Sequence, residues 1–268
     1  MIARICGGLL ALALVAASLC GPDGAARAQQ AGSGGTSLSL VPAVVIVHTQ
    51  FGRSTTQTLS LGNHTDQGFS YEMTASDVVV KNGKRVFLPA GEAPHSIASS
   101  AVFSMRSGYV EPGATKTVQV LLTVPPQTNV RAVALYFQNK HIVTARGSLS
   151  MTASLGSLIT FVLSNDSALT AEPVHVHPPT GSQNMKIVES LKNVGSEPIV
   201  PDGIVAFVDP SGKLAAKIPF DSKRLLPGEH QELVAEYPGR LKPGTYRVLC
   251  TFSYEGKSLT VTGQYRSS

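Results

Sequence analysis

The pattern of apolar and polar residues is most regular between Gly147 and Leu163, where it predicts a β-strand. A period of two in its first half is typical of a half-buried strand. The apolar positions of that half are Leu149, Met151, Ala153 and Leu155. From Leu158 onward the residues form a continuous apolar run, as in a strand that is covered on both faces. We therefore predict one long strand, or a pair of strands broken at Gly156, at the end of a first domain.

The rest of the chain consists of short apolar or alternating runs between turn signals. Lys81-Asn82-Gly83-Lys84 predicts a hairpin with a type I′ turn, because Asn-Gly tolerates positive φ at both central positions. The other predicted strands are 38–49, 56–63, 69–80, 98–105, 115–124, 132–137, 187–193, 204–208, 231–237, 246–254 and 259–265. No helical pattern longer than a turn follows the first 28 residues. This spacing predicts an all-β protein of two β-sandwich domains in tandem.

The predicted domains are 38–165 and 184–268, and the second repeats the order of the first. Leu61-x-Asn63 followed by Glu111-Pro112-Gly113 corresponds to Leu191-x-Asn193 followed by Leu226-Pro227-Gly228. Residues 29–37 are small and polar and predict a flexible leader. Residues 166–183 contain three prolines and predict an extended linker.

The first 28 residues have the features of a signal peptide. Arg4 precedes an apolar run at 9–19, and Ala26-Arg27-Ala28 fits a cleavage site. A retained membrane anchor is the alternative, but the run is short for a spanning helix. We expect an exported protein, periplasmic, secreted or on the cell surface, without a transmembrane segment after cleavage.

Charge and cysteine content narrow the classes of partner. The chain has 22 basic and 17 acidic residues. Two of the basic residues and one of the acidic residues lie in the signal peptide, so 20 basic and 16 acidic residues remain, a net charge of +4. The basic residues are scattered, so nucleic-acid binding is not predicted. This mild positive charge could favour contact with an anionic polymer of the cell envelope, and solubility explains it equally well. Cys250 remains alone after cleavage, so no intramolecular disulfide is possible, and we predict that it is a core residue.

Candidate chemistry is sparse. His175-x-His177 is the one clustered metal-type signal, because i and i+2 side chains share a face in an extended segment and could reach one Cu(II) or Zn(II). Solvated histidines are the alternative, since two ligands rarely suffice, and we predict no metal site. Arg131, near the start of a strand, is expected to be a surface charge, the alternative being an ion pair between the domains.

Catalytic motifs are missing from the sequence. It lacks a Gly-x-Ser-x-Gly motif, a phosphate-binding glycine loop and a His-Glu-x-x-His motif. The carboxylates at Glu72, Asp77, Glu92 and Glu111 are dispersed along the chain. An active site needs groups in mutual reach. We therefore predict a protein that is not an enzyme and has no cofactor.

Two groups of motifs carry a resemblance to known families. Gly244-x-Tyr246 at the entry of a late strand resembles the tyrosine corner of immunoglobulin-like sandwiches. The chain has no tryptophan, so it is similar to bacterial immunoglobulin-like or fibronectin-like modules rather than to antibody domains. The motifs at 40–46, 59–63, 110–114 and 130–132, followed by the long last strand, resemble the N-terminal domain of PapD-like periplasmic pilus chaperones over residues 38–165.

The chaperone resemblance implies a way of binding a partner. In that family the last strand of the first domain donates alternating apolar residues to an unfinished pilin sandwich, and backbone hydrogen bonds supply affinity. It implies Leu149, Met151, Ala153 and Leu155 as the partner-binding residues here. The family also holds the pilin's terminal carboxylate with two basic residues, and at those positions this chain has Val44 and Gly156 or Ser157.

The predicted function follows from this resemblance and from the missing chemistry. We expect an exported, chaperone-like protein-binding module of two immunoglobulin-like domains, which pairs an exposed edge strand with an extended segment of a protein client or surface subunit, as in pilus assembly. The alternative is a cell-surface, adhesion or structural protein built from tandem immunoglobulin-like modules.

Overall fold

The computed structural model describes residues 37–139 and 154–268 in full, and the strands Val143–Ala145 and Leu149–Met151 by their backbone. The predicted signal peptide and all but the last residue of the predicted leader lie outside the described residues. The described part of the chain belongs to one compact unit, Gly35–Ser268. In that part, no helix has the length and hydrophobicity to cross a membrane.

The first half of the chain forms a β-sandwich of two main sheets. Its strands are β1 (Leu38–Val41), β2 (Val44–His48), β3 (Ser54–Asn63), β4 (Phe69–Lys81), β5 (Lys84–Pro89), β6 (Val102–Phe103), β7 (Ser107–Val110), β8 (Thr115–Thr123), β9 (Ala132–Asn139), β10 (Val143–Ala145), β11 (Leu149–Met151) and β12 (Ser154–Val162). One sheet has the order β1-β3-β8-β6, and the other has the order β2-β12-β9-β4-β5 with β7 beside β4. Strands β10 and β11 form a separate antiparallel pair.

The core of the first sandwich lies between its two sheets. Inward-facing residues alternate with outward-facing ones along β4, β8 and β12, as the period of two requires. The rings of Tyr71 and Phe137, both buried, lie 5.3 Å apart at the centre of this core. The apolar run of β12 is covered on both faces as predicted, because Ile159, Thr160 and Phe161 are all buried.

Two of the predicted strands are wrong in this half. The predicted strand 38–49 is two strands in different sheets, because Pro42 has no N–H for a ladder and interrupts it. The predicted strand 98–105 is mostly a short 3-10 helix, Ala98–Ser100, followed by the two-residue β6. The Asp77 carboxylate accepts a hydrogen bond from the Ala98 N–H at 2.9 Å and so favours this turn. The Asn82-Gly83 hairpin is confirmed, with φ values of 53° and 76°.

The second half forms another sandwich with its own core. Its strands are β13 (Leu169–Ala171), β14 (His175–His177), β15 (Met185–Asn193), β16 (Asp202–Val208), β17 (Leu214–Pro219), β18 (His230–Tyr237), β19 (Gly244–Tyr254) and β20 (Lys257–Ser267). In one sheet β15 lies between β18 and the pair β13 and β14, and the other sheet has the order β17-β16-β19-β20. Cys250 is a buried core residue as predicted, and the Tyr246 hydroxyl donates to the Lys242 carbonyl at 2.9 Å as the tyrosine corner requires.

The structure corrects the predicted linker 166–183. The segment is extended, but β13 and β14 within it pair with β15 and form an edge of the second sandwich. Pro173 separates these two short strands and Pro178 ends the second, because proline cannot donate to the ladder. The sequence pattern was misleading here since strands of three residues are too short to show alternation.

The repeat between the two halves is visible in matching hydrogen bonds. The Asn63 amide donates to the carbonyls of Gln67 and Val110 at 2.8 and 3.1 Å. The Asn193 amide donates to the carbonyls of Glu197 and Leu225 at 2.8 and 3.1 Å. In each sandwich this buried asparagine therefore joins its own turn to the residue before a Pro-Gly turn. The prediction of an all-β chain of two immunoglobulin-like sandwiches is confirmed.

Candidate functional site

Strand β12 is paired along most of one edge and along only part of the other. Antiparallel β9 pairs with residues 154–160, whereas parallel β2 pairs only with residues 158–162. Within the described residues, no strand pairs with the second edge of β12 between Ser154 and Ser157. The predicted strand 147–163 thus contains two described strands, β11 and β12, and β12 begins with a short open edge.

The backbone direction at this open edge follows from two hydrogen bonds. The Leu158 N–H donates to the Ala43 carbonyl on the β2 side, and the Phe161 N–H donates to the Arg131 carbonyl on the β9 side. Because backbone groups alternate between the two edges along a strand, those of Ser154 and Gly156 point toward the open edge. They are the unpaired donors and acceptors that can accept another strand.

The side chains of β12 divide between two faces. Leu155 is partly buried and packs on the first core, on the same face as Ile159 and Phe161. Gly156 lies on the outer face, where a Cβ atom would meet the Tyr136 ring at 3.3 Å. Of the two alternatives for this strand, a break at Gly156 is wrong, because β12 continues through it in register with β9.

The structure describes the side chain of only one of the four predicted partner-binding residues. Leu155 lies at the open edge and joins the core. Leu149 and Met151 belong to β11, in which Leu149 pairs with Ala145 and Met151 with Val143, and their side chains are outside the described residues. Ala153 is outside the described residues altogether. Partner binding by these four residues stays a prediction.

The positions at which the chaperone family is basic lie beside the open edge. Val44 starts β2 and is about half exposed, and Ser157 is buried with its hydroxyl donating to the Pro42 carbonyl at 2.7 Å. Neither residue can bind a carboxylate by charge. A cation does lie further along β12, beside Thr160 and Val162, but it comes from the second sandwich.

That cation is Arg224, which sequence reasoning missed. It lines a small crevice of about 60 Å³ between the outer face of the first sandwich and the second sandwich. The other lining residues are Ile46, His48, Thr160, Val162, Pro198, Val200 and Glu255. In the sequence Arg224 lies in a short polar stretch before Leu225-Leu226, without any pattern that marks it.

The Arg224 guanidinium lacks a partner within the described part of the chain. Its Nε and Nη1 atoms are buried and make no hydrogen bond, and none of the ion pairs there includes it. Burial, together with the positive charge of Arg85, lowers the pKa of Arg224. Arg224 is partly buried and forms no ion pair within the described residues, although Glu255 also lines the crevice. A partly desolvated cation of this kind favours an anionic group in the crevice.

Two ion pairs fix the sandwiches on either side of this crevice. Arg131 is buried and lies 3.3 Å from Glu197, so the expectation of a surface charge is wrong and the ion pair between domains is correct. Glu197 also accepts hydrogen bonds from the Leu163 N–H at 2.8 Å and the Ser164 hydroxyl at 2.9 Å. It therefore holds the end of β12.

The second ion pair joins the tip of the β4–β5 hairpin to the second sandwich. Arg85 Nε lies 2.9 Å from Oε1 of Glu229, and Oε2 of the same carboxylate accepts a hydrogen bond from the Leu226 N–H at 2.8 Å. The His230 N–H donates to the Gly83 carbonyl at 3.0 Å. With the buried apolar contact of Leu226 on the first sandwich, these bonds fix the second sandwich against the outer face of the first.

The two candidate metal ligands, His175 and His177, both lie exposed on the same face of β14, while Val176 between them points to the second core. In the part of the chain that the structure describes, no group of three His, Cys, Asp or Glu side chains surrounds a metal-sized space. Metal binding by this pair is not tested by the structure.

Comparisons with known proteins give structural similarity alone. No protein-family model and no curated protein matches the chain. Among solved structures it is similar to the class 5 fimbriae chaperone CfaA, at 13% identity over 84% of this chain and 98% of that one, with a TM-score of 0.44.

Two further similar structures are complexes. One is the CsuC–CsuE chaperone–tip adhesion subunit pre-assembly complex of archaic chaperone-usher Csu pili of Acinetobacter baumannii, at 10% identity over 85% of this chain and 98% of that one, with a TM-score of 0.43. The other is the Salmonella enterica SafA pilin with the SafB chaperone, at 14% identity, 85% and 96% coverage and a TM-score of 0.43. The family that the sequence motifs resemble is thus among these structures.

Proposed function

We propose that this protein is an exported, non-enzymatic binding protein that works in a chaperone-like way. It takes up an extended segment of a partner protein as an additional strand on the open edge of β12. The observation that carries the proposal is that β2 covers β12 only from Leu158 onward. The backbone groups of Ser154 and Gly156 therefore face an edge that none of the described strands pairs with. A strand that is added at such an edge gains backbone hydrogen bonds without regard to its sequence.

Specificity would come from the side chains that flank this edge. Leu155 is only partly buried and adjoins the first core, so an apolar side chain of the incoming strand can cover the part that remains exposed. Met151 and Leu149 continue the same alternation into β11. Covering apolar surface is worth about 25 cal/mol per Å², which makes these positions the ones that select an apolar, alternating partner.

The Arg224 crevice would select partners in a second way, by their charge. It lies on the outer face of β2 and β12 beside Thr160 and Val162, four and six residues beyond Gly156 of the open edge. An acidic group of the partner that reaches Arg224 would complete the hydrogen bonds of its buried N–H groups. Charge-assisted bonds of this kind are stronger than neutral ones, so a partner with a well-placed carboxylate is favoured.

The experiment that tests the proposal compares two Leu→Asp variants. Leu155→Asp places a charge at the open edge, and Leu121→Asp makes the same change at a partly exposed strand position in the other sheet. We expect Leu155→Asp, and also Met151→Asp, to lose the partner that wild-type protein captures in the envelope of the source cell. Leu121→Asp should keep it, and circular dichroism should show that all variants are folded.

Hydrogen exchange identifies the mode of binding. With the captured partner bound, the amides of Ser154 and Gly156 should become protected, whereas the Ser157 amide, which faces β9, should not change. If Leu155→Asp captures the partner as well as the wild type does, or if these two amides stay unprotected, strand addition is wrong. Binding to isolated envelope material that is unaffected by Leu155→Asp would favour the surface-protein alternative.

A further inference from the structure

Most edge strands of the two sandwiches are protected against pairing with another chain. Natural proteins protect such edges by short strands, charges or proline. Here β1, β2, β6, β7, β13 and β14 have two to five residues. The longer edge strands β5 and β17 each contain lysine and proline, and β18 contains two glutamates.

The last strand, β20, has none of these protections along its centre. It is 11 residues long, and between Ser258 and Tyr265 it contains no charged residue and no proline. One edge pairs with β19 over the whole strand. None of the described strands pairs with the other edge, and no residue of β20 is buried.

The charges at the two ends of β20 do not block this edge. Lys257 is directed back to its own sandwich, where its Nζ donates to the Ser167 carbonyl at 2.6 Å. Arg266 lies at the other end, next to the terminal residues. An antiparallel neighbour therefore meets an uncharged centre with one cation at each end.

We infer that β20 pairs antiparallel with β20 of a second copy of this chain, about a two-fold axis through Thr262. The β17-β16-β19-β20 sheets of the two copies then become one eight-stranded sheet. The inference goes beyond the proposed function and does not rest on it, because β20 and the open edge of β12 belong to different sandwiches.

The register follows from the length of the strand and from its charges. Thr262 is the midpoint of Lys257–Ser267, so only an axis at Thr262 pairs all 11 residues. In this register Lys257 faces Ser267, Ser258 faces Arg266 and Thr260 faces Gln264, so no like charges oppose each other. Such a self-complementary arrangement is what a two-fold interface requires.

The side chains on the outer face also suit a copy of the same strand. Thr262 would face Thr262 of the second copy, and cross-strand threonine pairs are favourable. The same kind of pair already occurs within the sheet, where the hydroxyls of Thr251 and Thr260 lie 3.2 Å apart between β19 and β20. The second copy therefore extends a pattern that the sheet already contains.

The test uses the mature chain and two pairs of substitutions. In Thr260→Lys/Gln264→Lys each introduced lysine faces a lysine of the second copy, whereas in Thr260→Lys/Gln264→Glu each lysine faces a glutamate. We expect the wild type and the Lys/Glu variant to be dimers by light scattering, and the Lys/Lys variant to dissociate about tenfold more readily, since like charges directly opposite are unfavourable. The two variants differ at one side chain and so control for each other.

A cysteine variant keeps the inference testable even if the lysine variants fold poorly. Thr262→Cys places two cysteine side chains opposite each other with their Cβ atoms roughly 4.5–5.5 Å apart, so a short thiol-reactive cross-linker should join them into a covalent dimer. Ser258→Cys, which faces Arg266 rather than itself, should not. Cys250 does not compete because it is buried.

Three outcomes would overturn the inference. One is a wild type that stays monomeric throughout a concentration series. Another is a dimer that the Lys/Lys variant and the Lys/Glu variant weaken to the same extent, and in which Ser258→Cys cross-links as readily as Thr262→Cys. The third is a dimer that Leu155→Asp abolishes, because copies would then pair through β12.

Discussion

Glu189 lies beside Cys250 in the core of the second sandwich, and neither side chain has any exposed surface. Glu189 is on the inward face of β15, between Ile187 and Leu191, at a position where the alternation calls for an apolar residue. Both of its carboxylate oxygens lack a hydrogen-bond partner within the described residues. Burial raises the pKa of Glu189 to about 7, more than the interaction with the Cys250 thiol lowers it, and the charge of Glu172 raises it further.

The first prediction is that stability falls as the pH rises from about 4.5 to 7. In this range the unfolded chain releases the Glu189 proton while the folded protein keeps it, so ionisation favours unfolding. A pKa of about 7 against the ordinary 4.5 corresponds to roughly 3 kcal/mol of unfolding free energy, which is fully lost above pH 7. Urea unfolding at a series of pH values measures it.

Glu189→Gln is the control for this prediction. It keeps the shape of the side chain but cannot ionise, so its stability should vary less with pH and exceed that of the wild type at pH 8. A wild type that is equally stable across this range, or a Gln variant with the same pH profile as the wild type, would contradict the assignment.

The second prediction concerns the buried asparagine of each sandwich. Asn193→Ala removes two donors to buried carbonyls and the acceptor of the Gly195 N–H. We expect a loss of about 2–4 kcal/mol, because each buried hydrogen bond contributes about 1 kcal/mol and the unpaired groups add a penalty. Hydrogen exchange should localise the loss to the second sandwich, and Asn63→Ala should do the same in the first. Asn165→Ala, at an exposed turn, should stay within about 0.5 kcal/mol of the wild type.

The third prediction concerns the ion pair between Arg131 and Glu197. Arg131→Met leaves the buried Glu197 carboxylate without its counter-charge and should cost about 3–5 kcal/mol. Glu197→Gln keeps an acceptor for the Leu163 N–H, so adding it to Arg131→Met should recover part of the loss. A double-mutant cycle in urea measures this coupling. Strictly additive effects would show that the two charges do not depend on each other.

The fourth prediction separates stability from binding at Arg224. Because its guanidinium lacks a partner, Arg224→Gln should leave the free protein as stable as the wild type or more stable by about 1 kcal/mol. Affinity for the captured partner should fall and lose part of its salt dependence. Lys223→Gln, an exposed neighbour, should change neither quantity. Reduced capture by Leu155→Asp but not by Arg224→Gln would preserve strand addition and reject the anion site.

The sequence was sufficient for features that depend on local patterns. Alternation located most strands, Asn82-Gly83 located the hairpin, and the repeated Leu-x-Asn motif identified two related sandwiches. The asparagines could be recognised because the same local turn needs the same side chain in both halves. Glu189 could also have been found, as a carboxylate in the apolar phase of a predicted strand.

What the sequence did not predict depends on contacts between distant residues. The change of sheet at Pro42 depends on β12, more than 100 residues later in the chain. The turn at Ala98 depends on a carboxylate 21 residues earlier. Arg224 lies by the crevice only because the second sandwich is held there by Glu197 and Glu229, and no local pattern records those contacts.

The contact of Glu197 with the end of β12 also sets an order of events while the chain is being made. The chain is synthesised from its N-terminus. Leu163 is therefore made 34 residues before Glu197, whose carboxylate accepts a hydrogen bond from the Leu163 amide. The end of β12 therefore lacks this contact until Glu197, early in the second sandwich, has been made. A fragment that stops after residue 165 should show fast amide exchange at Leu163, so maturation of the two halves is coupled rather than sequential.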